Sequence, residues 1–242
     1  MDHVTKGNPG AFVINGPGGT GKTFLYNALY VEIRSMNKIV LPTATSGIAG
    51  ANIPSGGTAH SLFKIPLDPS SSLTCNVPKQ GSLVVLIRET TLIIWDEASM
   101  AKKENIESLD SLLRDFCNSS VLFGGKLVVF GGDFREVLPI VPRKSQREAV
   151  AASLVSSALW PQLLKFRLTE NLRATDDPAY TAFLLALGYG ELQKTEDAFV
   201  ELPLDIVKPF CTGIADNVHL TAVTFPEMDM FPFSSNSLQE LY

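Results

Sequence analysis

The chain has 242 residues, 45% hydrophobic and 19% charged, with a formal net charge of −5. This length suits one large domain or one domain plus part of another, and the composition supports a packed core and excludes wholesale disorder. The negative balance excludes a general nucleic-acid coat, so any nucleic-acid contact needs a local basic patch. Cys75, Cys117 and Cys211 are odd in number and far apart, and His3, His60 and His219 are equally scattered. Neither a metal spacing nor a disulfide framework is visible, which fits a reducing, intracellular compartment. The longest apolar runs are too short to span a bilayer, so no membrane partner is expected. The first ten residues, MDHVTKGNPG, have no apolar core and do not read as a signal peptide.

In chain order, AFVIN (11–15) reads as a buried strand. Leu25, Leu29 and Ile33 at four-residue spacing predict one face of a helix over 23–36. KIVLPTA (38–44) is a second strand. The stretch 66–81 carries Pro66, Pro69, Pro78 and a serine run, and reads as a surface excursion. GSLVVLIRE (81–89) is open between strand and helix, because its β-branched residues suit a strand while Leu83, Leu86 and Ile87 suit a helical face. TLIIW (91–95) is a third strand and KLVVF (126–130) a fourth, and Ile106, Leu109, Leu112, Leu113 and Phe116 mark an amphipathic helix between them. Strands alternating with helices imply a parallel sheet covered on both faces. After Phe166 the pattern changes: a helix is expected near 178–187, no sheet is completed, and the tail 224–242 carries Pro226 and Pro232.

GPGGTGKT, comprising Gly16, Pro17, Gly18, Gly19, Thr20, Gly21, Lys22 and Thr23, fits G-x-x-x-x-G-K-[ST] between a predicted strand and a predicted helix. Glycines let successive backbone N–H groups curl round phosphates, and the helix N-terminus adds a favourable dipole. Lys22 is expected to reach the β- and γ-phosphates of ATP, and the Thr23 hydroxyl to ligate Mg²⁺. Asp96 and Glu97 end a buried strand, where such sheets face their ligand crevice. Asp96 would hold Mg²⁺ and Glu97 would orient or deprotonate the attacking water; the plainer alternative for both is a helix N-cap. Asp133, in VVFGGD, comes from another strand end and reads as a γ-phosphate sensor or, alternatively, an acidic turn. In PTATSGIAGANI and GGTAHSLF, the small residues Thr45, Ser46, Gly47 and Thr58 would let a phosphate backbone approach, with His60 and Phe63 adding polar and stacking contacts. A structural His60 and a core Phe63 remain the alternative. VPRKSQR (141–147) is the strongest basic cluster, a kind of run that is usually just solvated.

Taken together, GPGGTGKTFLY, TATSGIAG…GGTAHSLFKIPL, LIIWDEASM, FGGKLVVFGGDFREVLPIVP, SALWPQLLKFRLTENLRA and LLALGYGE resemble the superfamily-one DNA helicases of the PIF (petite integration frequency) type, including the helicase regions of Helitron-like transposable elements. The motifs run in family order from about residue 11 to about 190. The resemblance implies an ATP-driven motor moving 5′→3′ on single-stranded DNA and unwinding duplexes, built from two RecA-like lobes with ATP between them. It implies a helix at 81–89 and a γ-phosphate contact from Arg173, in LTENLRA. It implies that the segments around Thr45 and His60 touch single-stranded DNA. Roles in DNA repair, recombination and telomere maintenance follow from the same resemblance.

Three departures stand out. The family motif ends GDFRQ, and here Glu136 takes the glutamine's place. An amide can donate to a γ-phosphate oxygen, whereas an ionised carboxylate cannot and repels it. The upstream glutamine segment that reads adenine is missing, and so are the later motifs that finish the second lobe. The expected architecture is therefore a RecA-like P-loop lobe over 1–165, a parallel sheet flanked by helices, followed over 166–242 by an incomplete second lobe. A monomeric fragment of an ATP hydrolase is expected, in the nucleus or alternatively the mitochondrion. Its expected catalytic set is Lys22, Glu97, Glu136 and Arg173, and it is not expected to unwind alone. The alternatives are a catalytically weak nucleotide- or DNA-binding relic and a P-loop kinase; the Asp–Glu pair, suited to activating water, argues against the kinase.

Overall fold

The computed structural model describes residues 2–66, 74–134, 138–142, 145–195, 199–203 and 207. In chain order the elements are α1 (Asp2–Lys6), β1 (Gly10–Asn15), α2 (Lys22–Ser35), β2 (Ile39–Ala44), α3 (Gly47–Ala51), β3 (Gly57–Thr58), α4 (Ala59–Phe63), α5 (Ser82–Glu89), β4 (Thr90–Asp96), α6 (Lys103–Cys117), β5 (Leu127–Gly132), α7 (Gln146–Ala152), β6 (Leu164–Arg167) and α8 (Pro178–Tyr189). Backbone contacts divide the chain into Met1–Glu191, which holds all these elements, and Leu192–Tyr242. In the latter, an antiparallel bridge joins Lys194 to Val200.

The strands form one sheet in the order β3-β2-β4-β5-β1-β6, with every pairing parallel. Parallel neighbours need crossovers, and here helices and apolar side chains cover both faces. The alternation along each central strand sorts the core. Val13, Ile93, Trp95, Val128 and Phe130 face one side, where α5 and α6 pack, while Ile14, Leu92, Ile94, Leu127 and Val129 face α2. The expected α6 face is borne out, with Ile106, Leu109, Leu112, Leu113 and Phe116 all buried. The open stretch 81–89 is a helix, α5, burying Val84 and Ile87.

Two expectations are corrected. The stretch 66–81 is not all surface: residues 67–73 lie outside the described set, but Cys75 and Val77 are buried in the core against α6's side of the sheet. Burial pushes the Cys75 thiol up to about 11. A sheet strand also follows where none was expected. β6 pairs with β1 from Phe12↔Leu164 to Asn15↔Arg167 and straddles residues 165 and 166. All four of its residues are exposed, so it lacks the buried alternation that marks the other strands.

The approach to β5 is fixed by one carboxylate. Asp110, buried on α6, accepts the Phe123 N–H at 2.5 Å and the Arg114 Nε–H at 2.8 Å. Phe123 has φ 51°, a left-handed turn residue whose ring is fully buried against Phe130. Asp110→Ala leaves the buried Phe123 N–H without an acceptor and is expected to cost about 1–3 kcal/mol, read as a lowered urea midpoint at unchanged m-value.

Candidate functional site

The site forms where β1, β4 and β5 end. Asn15 lies opposite Gly132, and Trp95 opposite Phe130, so the loop after β1 and the turn after β4 stand on either side of the end of β5. Residues 16–21 form a loop that leads directly into α2. Gly21, with φ 83°, precedes the helix and contributes no side-chain cap, so the first N–H groups of α2 are left for an anion. The Lys22 ammonium folds back on the loop, donating to the Gly16 carbonyl at 2.7 Å and the Pro17 carbonyl at 3.1 Å. Phosphate oxygens of higher charge can displace those carbonyls.

An open pocket is lined by Gly18 to Phe24 together with Asp96, Glu97, Leu172 and Arg173. The sequence-predicted phosphate, metal, water and arginine residues thus come together, although Arg173 is distant in sequence from the rest. What brings it there is a strap after β6. The Leu168 N–H donates to Asn15 O at 2.8 Å, and the Leu172 N–H to Gly19 O at 2.9 Å. Asn171 Oδ1 accepts from the N–H groups of Arg173 and Ala174, which folds the strap into a tight turn. Gly19, with φ 83°, allows this approach: a β-carbon there would lie 2.5 Å from Asn171 Oδ1 and 3.1 Å from the Arg173 side chain.

Asp96 is buried at the end of β4, and its Oδ1 accepts the Glu97 N–H at 2.9 Å. Burial raises its pKa, opposed by that N–H, by the Tyr26 hydroxyl and by the charge of Lys22. Glu97 turns the chain with φ 53° and ψ 36°, a left-handed conformation that costs a non-glycine residue roughly 1–2 kcal/mol. This turn is clamped from β2. Thr45 donates its N–H to Asp96 O at 3.0 Å and its hydroxyl to Glu97 O at 2.6 Å, and accepts Trp95 Nε1–H at 3.0 Å.

The donor set fits a hard divalent cation carried in with phosphates. Thr23 and Asp96 offer oxygen ligands in one pocket, and among the described residues no cluster of three or more His, Cys, Asp or Glu forms a protein cage. That is the arrangement Mg²⁺ favours, with one or two protein oxygens and the rest from substrate and water.

The residues expected to touch nucleic acid fare differently. Phe63 is fully buried in the core, which removes it as a stacking surface; its ring packs under the sheet because α4 is short and turns that face inward. The Ser46 hydroxyl caps α3 by accepting from Ala49 N, and Thr58 caps α4 by accepting from Ser61 N. His60 Nε2 meets the Asn105 amide at 3.2 Å, and burial lowers its pKa. Gly47 is exposed, with open space at its α-carbon. Asp133 is buried and shares a second cavity with Pro17, Gly18, Thr169 and Asn171. Glu136 lies outside the described residues, as do Arg143 and Lys144 of the basic cluster and the tail 224–242.

Sequence reasoning missed Phe24, which is 79% exposed beside the phosphate loop. An apolar ring left in water at a pocket mouth offers a flat face to a base. The signal was there: Phe24 sits off the Leu25–Leu29–Ile33 face of an otherwise half-buried helix.

A family model described as PIF1-like helicase matches residues 1–198. The ATP-dependent DNA helicase PIF1 of Emericella nidulans is 30% identical over 212 residues, which is 84% of this chain and 28% of that protein. The crystal structure of Bacteroides Pif1 bound to single-stranded DNA superposes with a TM-score of 0.62 at 26% identity, covering 92% of this chain and 54% of that one. Bacteroides Pif1 in complex with ADP-AlF3 and single-stranded DNA gives the same TM-score at 25% identity, covering 94% and 57%. The chain therefore spans under a third of the Emericella protein and just over half of each of these structures.

The Thr45 clamp makes a prediction that separates a structural role from a nucleic-acid contact. Thr45→Val strands the Trp95 N–H, while the Glu97 carbonyl keeps the Met100 N–H, and is expected to cost about 1–3 kcal/mol in urea unfolding followed by tryptophan fluorescence. Unchanged stability would mean that the clamp contributes nothing.

Proposed function

The chain belongs to the PIF1-like helicase family, and we propose that it carries the nucleotide-binding and hydrolysing lobe of an ATP-dependent DNA helicase. What supports this reading is the single pocket lined by Lys22, Thr23, Asp96, Glu97 and Arg173. In it the loop Gly16–Thr23 cradles the triphosphate, and the Lys22 ammonium leaves the Gly16 and Pro17 carbonyls for the β- and γ-phosphate oxygens. Thr23 and Asp96 hold Mg²⁺, which when bound neutralises charge on those oxygens. Glu97 takes the proton of the attacking water, and Arg173 stabilises charge on the γ-phosphate. Because the strap that carries Arg173 is hydrogen-bonded to the phosphate loop, the same residues that sense nucleotide lead out of the sheet. We assign residues 1–165 to this lobe and 166–242 to the start of a second, with β6 and the strap as the passage between them.

The partners we propose are single-stranded and duplex DNA; Bacteroides Pif1, to which the chain is similar, is seen bound to single-stranded DNA. Ser46 and Thr58 accept in their helix caps and keep their O–H groups to donate, so contact with the strand runs through these hydroxyls, the exposed backbone around Gly47 and His60. A DNA partner argues for nucleus or mitochondrion and for work in repair, recombination or telomere maintenance. No helix among the described residues is long and apolar enough to cross a membrane. Glu136, where the family carries glutamine, belongs to the proposed catalytic set as a brake, since a carboxylate in place of that amide would repel a γ-phosphate rather than donate to it.

The test is ATP hydrolysis with and without single-stranded DNA in Mg²⁺ buffer. DNA-stimulated turnover supports the motor; binding without turnover indicates a relic, and acceptor-dependent ADP release a kinase. Lys22→Ala should abolish Mg-ATP binding by calorimetry, and equal affinity would sink the phosphate-loop assignment. Glu97→Gln should keep binding but lower turnover about 10²–10⁴-fold, because the amide keeps the shape and cannot take the proton.

A further inference from the structure

Tyr26 lies one helical turn after Lys22 on α2 and is fully buried. Its hydroxyl is aimed out of the apolar core, at the end of the sheet. A β-carbon built on Gly131 would lie 1.6 Å from the Tyr26 hydroxyl oxygen and 3.1 Å from Asp96 Oδ1, so both oxygens border the space above that glycine. The hydroxyl lies within electrostatic reach of Asp96 but falls short of full hydrogen-bond geometry, and it is buried without another partner. A phenol sealed in a core usually finds a partner, because leaving the group unpaired costs about 1–3 kcal/mol. A phenylalanine would fill the same volume at lower cost. The oxygen is therefore placed for the acceptor beside it, the Asp96 carboxylate.

We propose that Tyr26 is a positioning residue for the metal site: its hydroxyl donates to the Asp96 carboxylate and fixes its orientation when the cation and nucleotide are bound. The proposal rests on the nucleotide reading above. The Glu97 N–H holds Oδ1 from one side, and Tyr26 supplies a second donor from beneath the sheet end. Two donors from different elements leave the carboxylate little freedom to rotate, which is how outer residues tune a ligand without touching the metal. Gly131 belongs to the same device, because any side chain there would occupy the space of the hydroxyl.

The experiment titrates Mg²⁺ into the chain with ADP and compares the parent with Tyr26→Phe, which keeps the ring and the core packing. The expected result is a half-saturating Mg²⁺ concentration raised about tenfold, with ADP affinity in chelator unchanged and a urea midpoint equal to or above the parent's. In an Asp96→Asn background, Tyr26→Phe should shift nothing further. Equal Mg²⁺ requirements overturn the proposal and leave Tyr26 a packing residue, and so does an undiminished shift in the Asn background. A parent chain that binds no ADP at any Mg²⁺ concentration overturns the nucleotide reading and this proposal with it. Should the Phe variant fail to fold, the parent labelled with ¹³C at the tyrosine ζ-carbons gives the answer. The Tyr26 signal should move on adding Mg²⁺ and ADP and stay still in Asp96→Asn; a signal unmoved in the parent overturns the proposal.

Discussion

Gly131 and Gly132 end β5 without side chains, and the two elements that flank them occupy the space. Tyr26 comes up from α2 beside Gly131, while the Ser99 side chain lies where a β-carbon on Gly132 would be, 2.7 Å from Ser99 Oγ. β5 stands between β1 and β4, so its end separates the phosphate loop from the acidic turn. Any bulk there would push the two apart. The Gly16 N–H donates to Gly132 O, tying the loop to the same strand end. Close approach of Lys22, Thr23 and Asp96 depends on this thin spacer, and the buried runs LIIW and LVVF supply the rigidity that holds it in place.

Much of this was legible in the sequence because the responsible elements are buried. β1, β2, β4 and β5 are apolar runs, and α6 shows its inward face at helical spacing. The phosphate loop and the Asp96–Glu97 pair stand directly after such runs, so placing the strands placed the site. What escaped were elements whose reason for existing is tertiary. β6 is exposed at every residue and owes its extension to pairing with β1. β3 is two residues long, set by register with Thr43 and Ala44. Cys75 and Val77 sit among prolines and serines that read as surface, yet the core reaches out to them.

The hydroxyls have a structural use that the sequence leaves open. Thr45, Ser46 and Thr58 are small polar residues after a strand, a pattern that suits an open phosphate surface and a helix cap equally well. Only the acceptors and donors decide between these. Ser46 and Thr58 serve the short helices that follow them, and Thr45 bridges two strands and an indole. The segment is thus a brace for the acidic turn.

The left-handed backbone at Glu97 sets two selective demands against each other at a single codon. Conformation alone would rank glycine, asparagine and aspartate above glutamate there and would reject valine, isoleucine and threonine outright. The proton transfer proposed for Glu97 would rank the carboxylates first and dismiss the others. A library randomised at this position and sorted for folding should therefore enrich a different alphabet from the same library sorted for turnover. Residues enriched only in the folding sort are those that relieve the left-handed backbone, and residues enriched only in the turnover sort are those that the proposed proton transfer requires.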